Sequence, residues 1–220
     1  MRVLIIGASG GIGAALASHA RARGDDVTAL SRSGQGLDIT DPASVDATLG
    51  ALTGPFEAVI VATGALSING AQPEKSLRAL TRSAFEDHFR LNAIGPALVL
   101  RHVARLMPSD RRAVFAALSA RVGSIGDNRA GGWYAYRAAK AALNQIVHTG
   151  AIELARSHPH LTCVVLHPGT VATGLTEAYA ARHPAVPPQT AATNLWRVMD
   201  GLTPRDTGQF QDWAGQSIPW

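Results

Sequence analysis

At 220 residues the chain can build one sizeable core, and a hydrophobic fraction of 46% against 16% charged residues excludes a disordered or coiled-coil protein. The formal charge of +4 comes with arginines scattered along the chain in no cluster or stripe, which argues against a nucleic-acid-binding face. One cysteine, Cys163, forbids an internal disulfide, and there is neither a signal-like leader nor a long apolar span, so a cytoplasmic protein without membrane association is expected.

In chain order, the apolar run RVLII (2–6) predicts a strand and is followed by a helical pattern over 11–23. DVTAL (26–30) predicts a second strand before a short helix near 41–50, and AVIVA (58–62) a third before a long helix over 82–107. RAVFAAL (112–118) precedes a helix over 133–157, and LTCVVL (161–166) one near 188–201. Strands this apolar need cover on both faces, which is the mark of a parallel sheet with crossover helices. The expectation is a single doubly wound, Rossmann-like α/β domain over 1–220, with 170–188 as a substrate flap after the fifth strand.

The first βα turn reads GASGGIG, with Gly7, Gly11 and Gly13 between strand and helix. A turn lacking side chains lets backbone amides and the helix N-terminus approach a pyrophosphate. At the end of the second strand, where a carboxylate would bind the adenosine ribose of NAD, stand Ser31 and Arg32. A hydroxyl and a cation suit a 2′-phosphate, so NADP is expected over NAD.

In WYAYRAAKAALNQ (133–145), Tyr136 and Lys140 are spaced to share one helical face, whereas Tyr134 points elsewhere. A tyrosine titrates near ~10 in isolation, and a neighbouring ammonium lowers that value, so the pair suits proton transfer. The histidines, His158 and His160 among them, lack the spacing of a closed zinc site, and no metal is expected. His167 needs only a local hydrogen bond to be explained, and Trp133 is a candidate wall for substrate.

GASGGIG (7–13), Asn92 in LNAIGP, YRAAK (136–140) and HPGTVAT (167–173) together resemble the short-chain dehydrogenases/reductases over nearly the whole chain. SARVGSIGDNRAGGWYAYRAAKAALNQ and GQSIPW look most like its C-factor and sniffer-type carbonyl reductase branch. The resemblance implies that Gly7, Ser9, Gly11, Ile12 and Gly13 surround the pyrophosphate, that Asp38 meets the adenine and that Gly64 lines its ribose. It gives Asn92 a helix bend and a relay water, Tyr136 the acid/base role, and Lys140 the nicotinamide ribose. Pro168, Gly169, Val171 and Thr173 would border the nicotinamide and its phosphate.

Two positions depart from the family pattern. Val61–Ala62–Thr63–Gly64 replaces the usual asparagine-containing turn, and Ala120 stands where a serine usually orients the carbonyl. Ser119 can serve only if its strand has ended or bulged, Ser124 in the following loop is the alternative, and no serine at all is the third possibility. The implied activity is NADP(H)-dependent reduction of a carbonyl or oxidation of an alcohol by a homodimer or homotetramer. The alternative is an NADP-binding signalling or scaffold protein of C-factor type with little turnover.

Overall fold

Six short apolar segments lie side by side as one parallel sheet in the order β2-β1-β3-β4-β5-β6 in a computed structural model, which describes residues 1–176 and 184–220. They are β1 (Arg2–Ile6), β2 (Asp26–Leu30), β3 (Ala58–Val61), β4 (Ala113–Leu118), β5 (Leu161–His167) and β6 (Phe210–Asp212). The first five match the sequence expectation to within one residue at either end. β6 was not expected, since FQD is too short to show a period, and it pairs with β5 from Val165↔Phe210 to His167↔Asp212.

Side chains that alternate along each strand divide the core into two halves. Leu4, Ile6, Val59, Val61, Phe115 and Cys163 face one side. They pack there on α3 (Pro42–Gly50), α5 (Gly95–Leu100), α6 (Val103–Leu106) and α7 (Tyr134–Leu154). Val3, Ile5, Ile60, Val114, Ala116 and Val164 face the other, against α1 (Gly11–Ala22) and α8 (Pro188–Gly201). The doubly wound architecture is therefore as the apolar runs require. Cys163 lies buried in the middle of the sheet, and burial pushes its thiol up to about 12.

The helix expected over 82–107 is instead four pieces. α4 (Arg82–Phe89) passes into a π turn over Arg90–Ile94, then α5, a turn at Arg101–His102, and α6. Pro96 has no N–H to offer the Asn92 carbonyl, so the i→i−4 ladder cannot close there and the chain widens by one residue. A further short helix, α2 (Arg32–Gln35), follows β2 and is capped by Ser31. Of the flap expected at 170–188, residues 177–183 lie outside the described residues. Its two ends meet where Val171 bridges Val186. Among the described residues no helix is long and apolar enough to cross a membrane.

Trp196 of α8 is 2% exposed, packs among α1 side chains and donates its indole N–H to the Leu16 carbonyl at 3.2 Å. Trp196→Ala is expected to cost about 3–5 kcal/mol, read as a lower urea midpoint. Trp196→Phe should recover most of that loss, because it restores volume and forfeits only the hydrogen bond.

Candidate active site at the carboxyl edge of the sheet

The chain leaves β1 for β2 on one side and then crosses to β3 on the other, so a crevice opens beyond the carboxyl ends of β1 and β3, the place where such sheets take ligands. Gly7 turns there with φ +92, and a Cβ on it would meet the Ala62 carbonyl oxygen at 2.8 Å. A Cβ on Gly13 would lie 2.2 Å from the Gly7 oxygen, so the helix and turn can sit this close only without side chains. α1 has neither a side-chain cap nor an acidic residue in its first turn, leaving its N-terminal amides open to an anion. Ser9 and Gly11 are exposed on this turn and Ile12 lines the cavity beside it.

Ser31, Arg32 and Asp38 stand apart from that cavity, beyond β2. The Ser31 hydroxyl caps α2 by accepting from Gly34 N at 3.1 Å. Arg32 is exposed and has no hydrogen bond or ion pair among the described residues. Asp38 accepts from Thr40 Oγ1 at 2.7 Å and Thr40 N at 2.9 Å, and those bonds, with a smaller contribution from Arg32, hold its carboxyl below the usual range.

A cavity of about 500 Å³ opens beside the ends of β3, β4 and β5. Besides Ile12, eight residues picked from sequence line it: Gly64, Ser119, Tyr136, Lys140, Pro168, Gly169, Val171 and Thr173. Tyr136 and Lys140 are both buried on α7, and the Lys140 ammonium lies 5.9 Å from the Tyr136 ring centre. Lys140 Nζ donates to the Leu118 carbonyl at the end of β4, 2.9 Å away. A Cβ on Gly64 would touch both Asn92 Oδ1 (2.8 Å) and Lys140 Nζ (3.3 Å), so the three meet at one point.

Asn92 sits within the π turn, fully buried, and its amide brackets the Ala65 backbone. Oδ1 accepts from Ala65 N at 3.1 Å, while Nδ2 donates to Ala65 O at 3.0 Å and approaches His88 Nδ1 at 3.0 Å. At Asn92 the regular helix is interrupted by the π turn. With the side chain so engaged, a relay water would have to use its main chain.

The serine question turns on where β4 stops. It ends at Leu118, which faces the α1–α8 half of the core, and the next residue, Ser119, turns to α7 and donates to Asn144 Oδ1 at 2.6 Å. Ser124 is buried elsewhere, its hydroxyl donating to Pro219 O and accepting from Asp127 N. Ser124 is not among the cavity-lining residues; Ser119 and Ala120 are.

Burial alone pushes the Tyr136 phenol well above its usual value, against the lowering that a Lys140 neighbour leads one to expect. The ammonium is itself desolvated and drops to about 8. His167 is pushed down to about 4 by burial and then by Arg121, with Asp212 opposing. Its Nδ1 is buried without a hydrogen-bond partner, so the local bond expected for it is missing at that atom.

Three residues escaped the sequence reading. Glu74, buried, accepts from Trp133 N through its carbonyl at 2.6 Å and from Ala135 N through Oε2 at 3.3 Å, which anchors the start of α7. Trp133 can then hold a left-handed φ of +55 as the residue before the helix. His88 lies edge-on to Tyr136 with ring centres 5.7 Å apart. Asn144 was the one legible in principle, four residues beyond Lys140 on the same helical face.

The site fits a dinucleotide on its own terms. The glycine turn leaves room that side chains would fill, and Thr63, in the departing Val61–Gly64 turn, lines the cavity and carries a hydroxyl without a hydrogen-bond partner among the described residues. Among the described residues no group of three or more His, Cys, Asp or Glu side chains could hold a metal.

A family model described as enoyl-(acyl carrier protein) reductase matches residues 7–209. A 1-hydroxy-2-glutathionyl-2-methyl-3-butene dehydrogenase of Rhodococcus sp. strain AD45 is 30% identical over 99% of this chain and 99% of its own. C-signal of Myxococcus xanthus is 33% identical over 76% of this chain and 95% of its own, matching the C-factor side of the resemblance. With this sheet, glycine turn and Tyr–Lys helix, the chain belongs to the short-chain dehydrogenase/reductase family. Its fold is that of the NADPH-bound carbonyl reductase from chicken fatty liver (TM-score 0.83, 23% identity, 100% of this chain and 98% of that one).

Lys140 has a consequence for stability. Its folded pKa of about 8 lies below the unfolded 10.5, so from pH 8 upward the unfolded chain binds more protons and the folded state gains. Cys163, raised from 9.0 to about 12, opposes the trend from about pH 9, and Tyr136, raised from 10.0, joins it above pH 10. The Tm of the cofactor-free protein should therefore rise between pH 8 and pH 9 by calorimetry, and Lys140→Met should remove most of that rise.

Proposed function

We propose that the chain is an NADP(H)-dependent oxidoreductase that interconverts a carbonyl and an alcohol, with Tyr136 as general acid/base. The observation that carries this reading is the buried Tyr136–Lys140 pair on one face of α7, opening into a cavity shared with Ser119 and with the turn after β5. The name of the Rhodococcus relative, a dehydrogenase of a hydroxy compound, supports it. Arg32, exposed and in no ion pair among the described residues, supports NADP over NAD. Binding would use the α1 N-terminus for pyrophosphate, Thr63 and Gly64 for the adenine-side ribose, Asp38 for adenine, and Lys140 for the nicotinamide ribose.

NADP(H), when bound, supplies or accepts the hydride. Tyr136 keeps its proton in the buried site and gives it to the substrate oxygen as negative charge grows there, and Lys140 offsets the phenolate left behind. Asn92 holds Ala65 and so keeps Gly64 against Lys140. Ser119 has its proton on Asn144, whose Nδ2 lacks a partner. Turning the Asn144 amide over makes Nδ2 the donor to Ser119 Oγ and releases the serine proton toward substrate.

A panel of aldehydes and ketones with NADPH tests the reading. Tyr136→Phe should lose about 10²–10⁴ in kcat/KM while still binding NADPH; equal rates in the two proteins would sink the mechanism. Ser119→Ala should cost about 10²–10³ in kcat if it completes the oxyanion site. Arg32→Ala should cut the preference for NADPH over NADH about tenfold or more.

A second reading, an NADP-binding signalling protein with little turnover, draws on the Ser119 proton already engaged by Asn144 and on the likeness to C-signal. Tight NADPH binding with no turnover across the panel would favour it. The proposed assembly is a homodimer or homotetramer in the cytoplasm. Light scattering of the purified protein decides it.

A further inference from the structure

Three arginines line the cavity, on the segment after β4 and on α7. Arg121 is neutralised, its guanidinium reaching Asp127 at 3.2 Å and Asp212 at 3.3 Å. Among the described residues Arg137 meets no carboxylate: its nitrogens donate to the carbonyls of Gly132 (2.9 Å), Val122 (3.1 Å) and Gly131 (3.1 Å), which holds the loop but leaves the positive charge uncompensated there. Arg129 has only the carbonyl of its neighbour Asn128, at 3.4 Å. Among the described residues Asp127 is the one acidic residue lining the cavity, and Arg121 occupies it.

The cofactor does not account for these cations. The pyrophosphate falls to the α1 N-terminus, and the 2′-phosphate falls to Arg32, which is not part of this cavity. Around the arginines the wall is apolar: Val122, Ala130, Trp133 and Leu175. An apolar wall that includes an unneutralised guanidinium is complementary to an apolar body that ends in an anion, and the planar fork of arginine matches a carboxylate.

We propose that the substrate of this site is a carbonyl compound or alcohol bearing a carboxylate, which Arg129 binds while the charge of Arg137 adds to the attraction. The proposal rests on the oxidoreductase reading for the chemistry, but the charge preference is measurable without it. Arg129 is exposed and tied to the fold by one long bond, so its replacement should leave the fold intact.

Two probes of nearly equal shape separate charge from size: 4-carboxybenzaldehyde and its methyl ester. In steady-state reduction with NADPH, wild type should favour the acid about 10–100-fold in kcat/KM, chiefly through KM, and 0.5 M salt should narrow the gap. Arg129→Ala should bring the ratio near one, and Arg129→Glu should invert it. A wild-type ratio near one, or a ratio unmoved by both variants, overturns the proposal. Calorimetric binding of benzoate against benzamide to the NADP-loaded protein and to Arg129→Ala is the arm that needs no turnover. Absence of reduction with benzoate favoured and lost in the variant would strike the oxidoreductase reading and keep the charge preference. Equal binding of benzoate and benzamide would remove it.

Discussion

Tyr136, Lys140 and Asn144 recur at four-residue intervals on the same stripe of α7 that presents Leu143, Val147 and Ala151 to the sheet. The chemistry is thus held by the same packing that holds the core. Lys140 reaches the carbonyl at the end of β4, Asn144 binds Ser119 one residue further on, and Gly64 after β3 closes on both Lys140 and Asn92. Two strand ends are tied to one helix face, so their spacing is fixed before any ligand arrives. Glu74 sets where that helix begins and therefore how far Tyr136 extends into the cavity.

The environment of this stripe also sets its protonation. Sequence spacing alone implies an acidified tyrosine beside a full ammonium. Burial works in the opposite sense on each: it keeps the phenol protonated and weakens the hold of the amine on its proton. A protonated phenol facing a cavity is an acid waiting for an oxygen that acquires charge.

Much of this could be read in advance, for identifiable reasons. The strands are buried on both faces, so their apolar runs stand out, and the glycine turn follows the first of them directly. Tyr136 and Lys140 were legible because helical period is a local property. The break at Asn92 was masked by apolar residues that continue the helical pattern through it, although Pro96 marks the lost hydrogen bond. β6 and the roles of Glu74 and His88 depend on contacts between segments far apart in sequence, which no local pattern records. The choice between Ser119 and Ser124 needed one fact invisible in the chain, the residue at which β4 ends.

Cys163 offers a view of the molecule from inside. It is the single thiol of the chain, sits in the hydrophobic half that α7 covers, and is held as the unreactive protonated form. A thiol reagent can reach it only when the sheet parts from its helices. The rate at which Cys163 is labelled in the native protein is therefore a clock for the opening of the whole domain, and a bound cofactor would be read as the slowing of that clock.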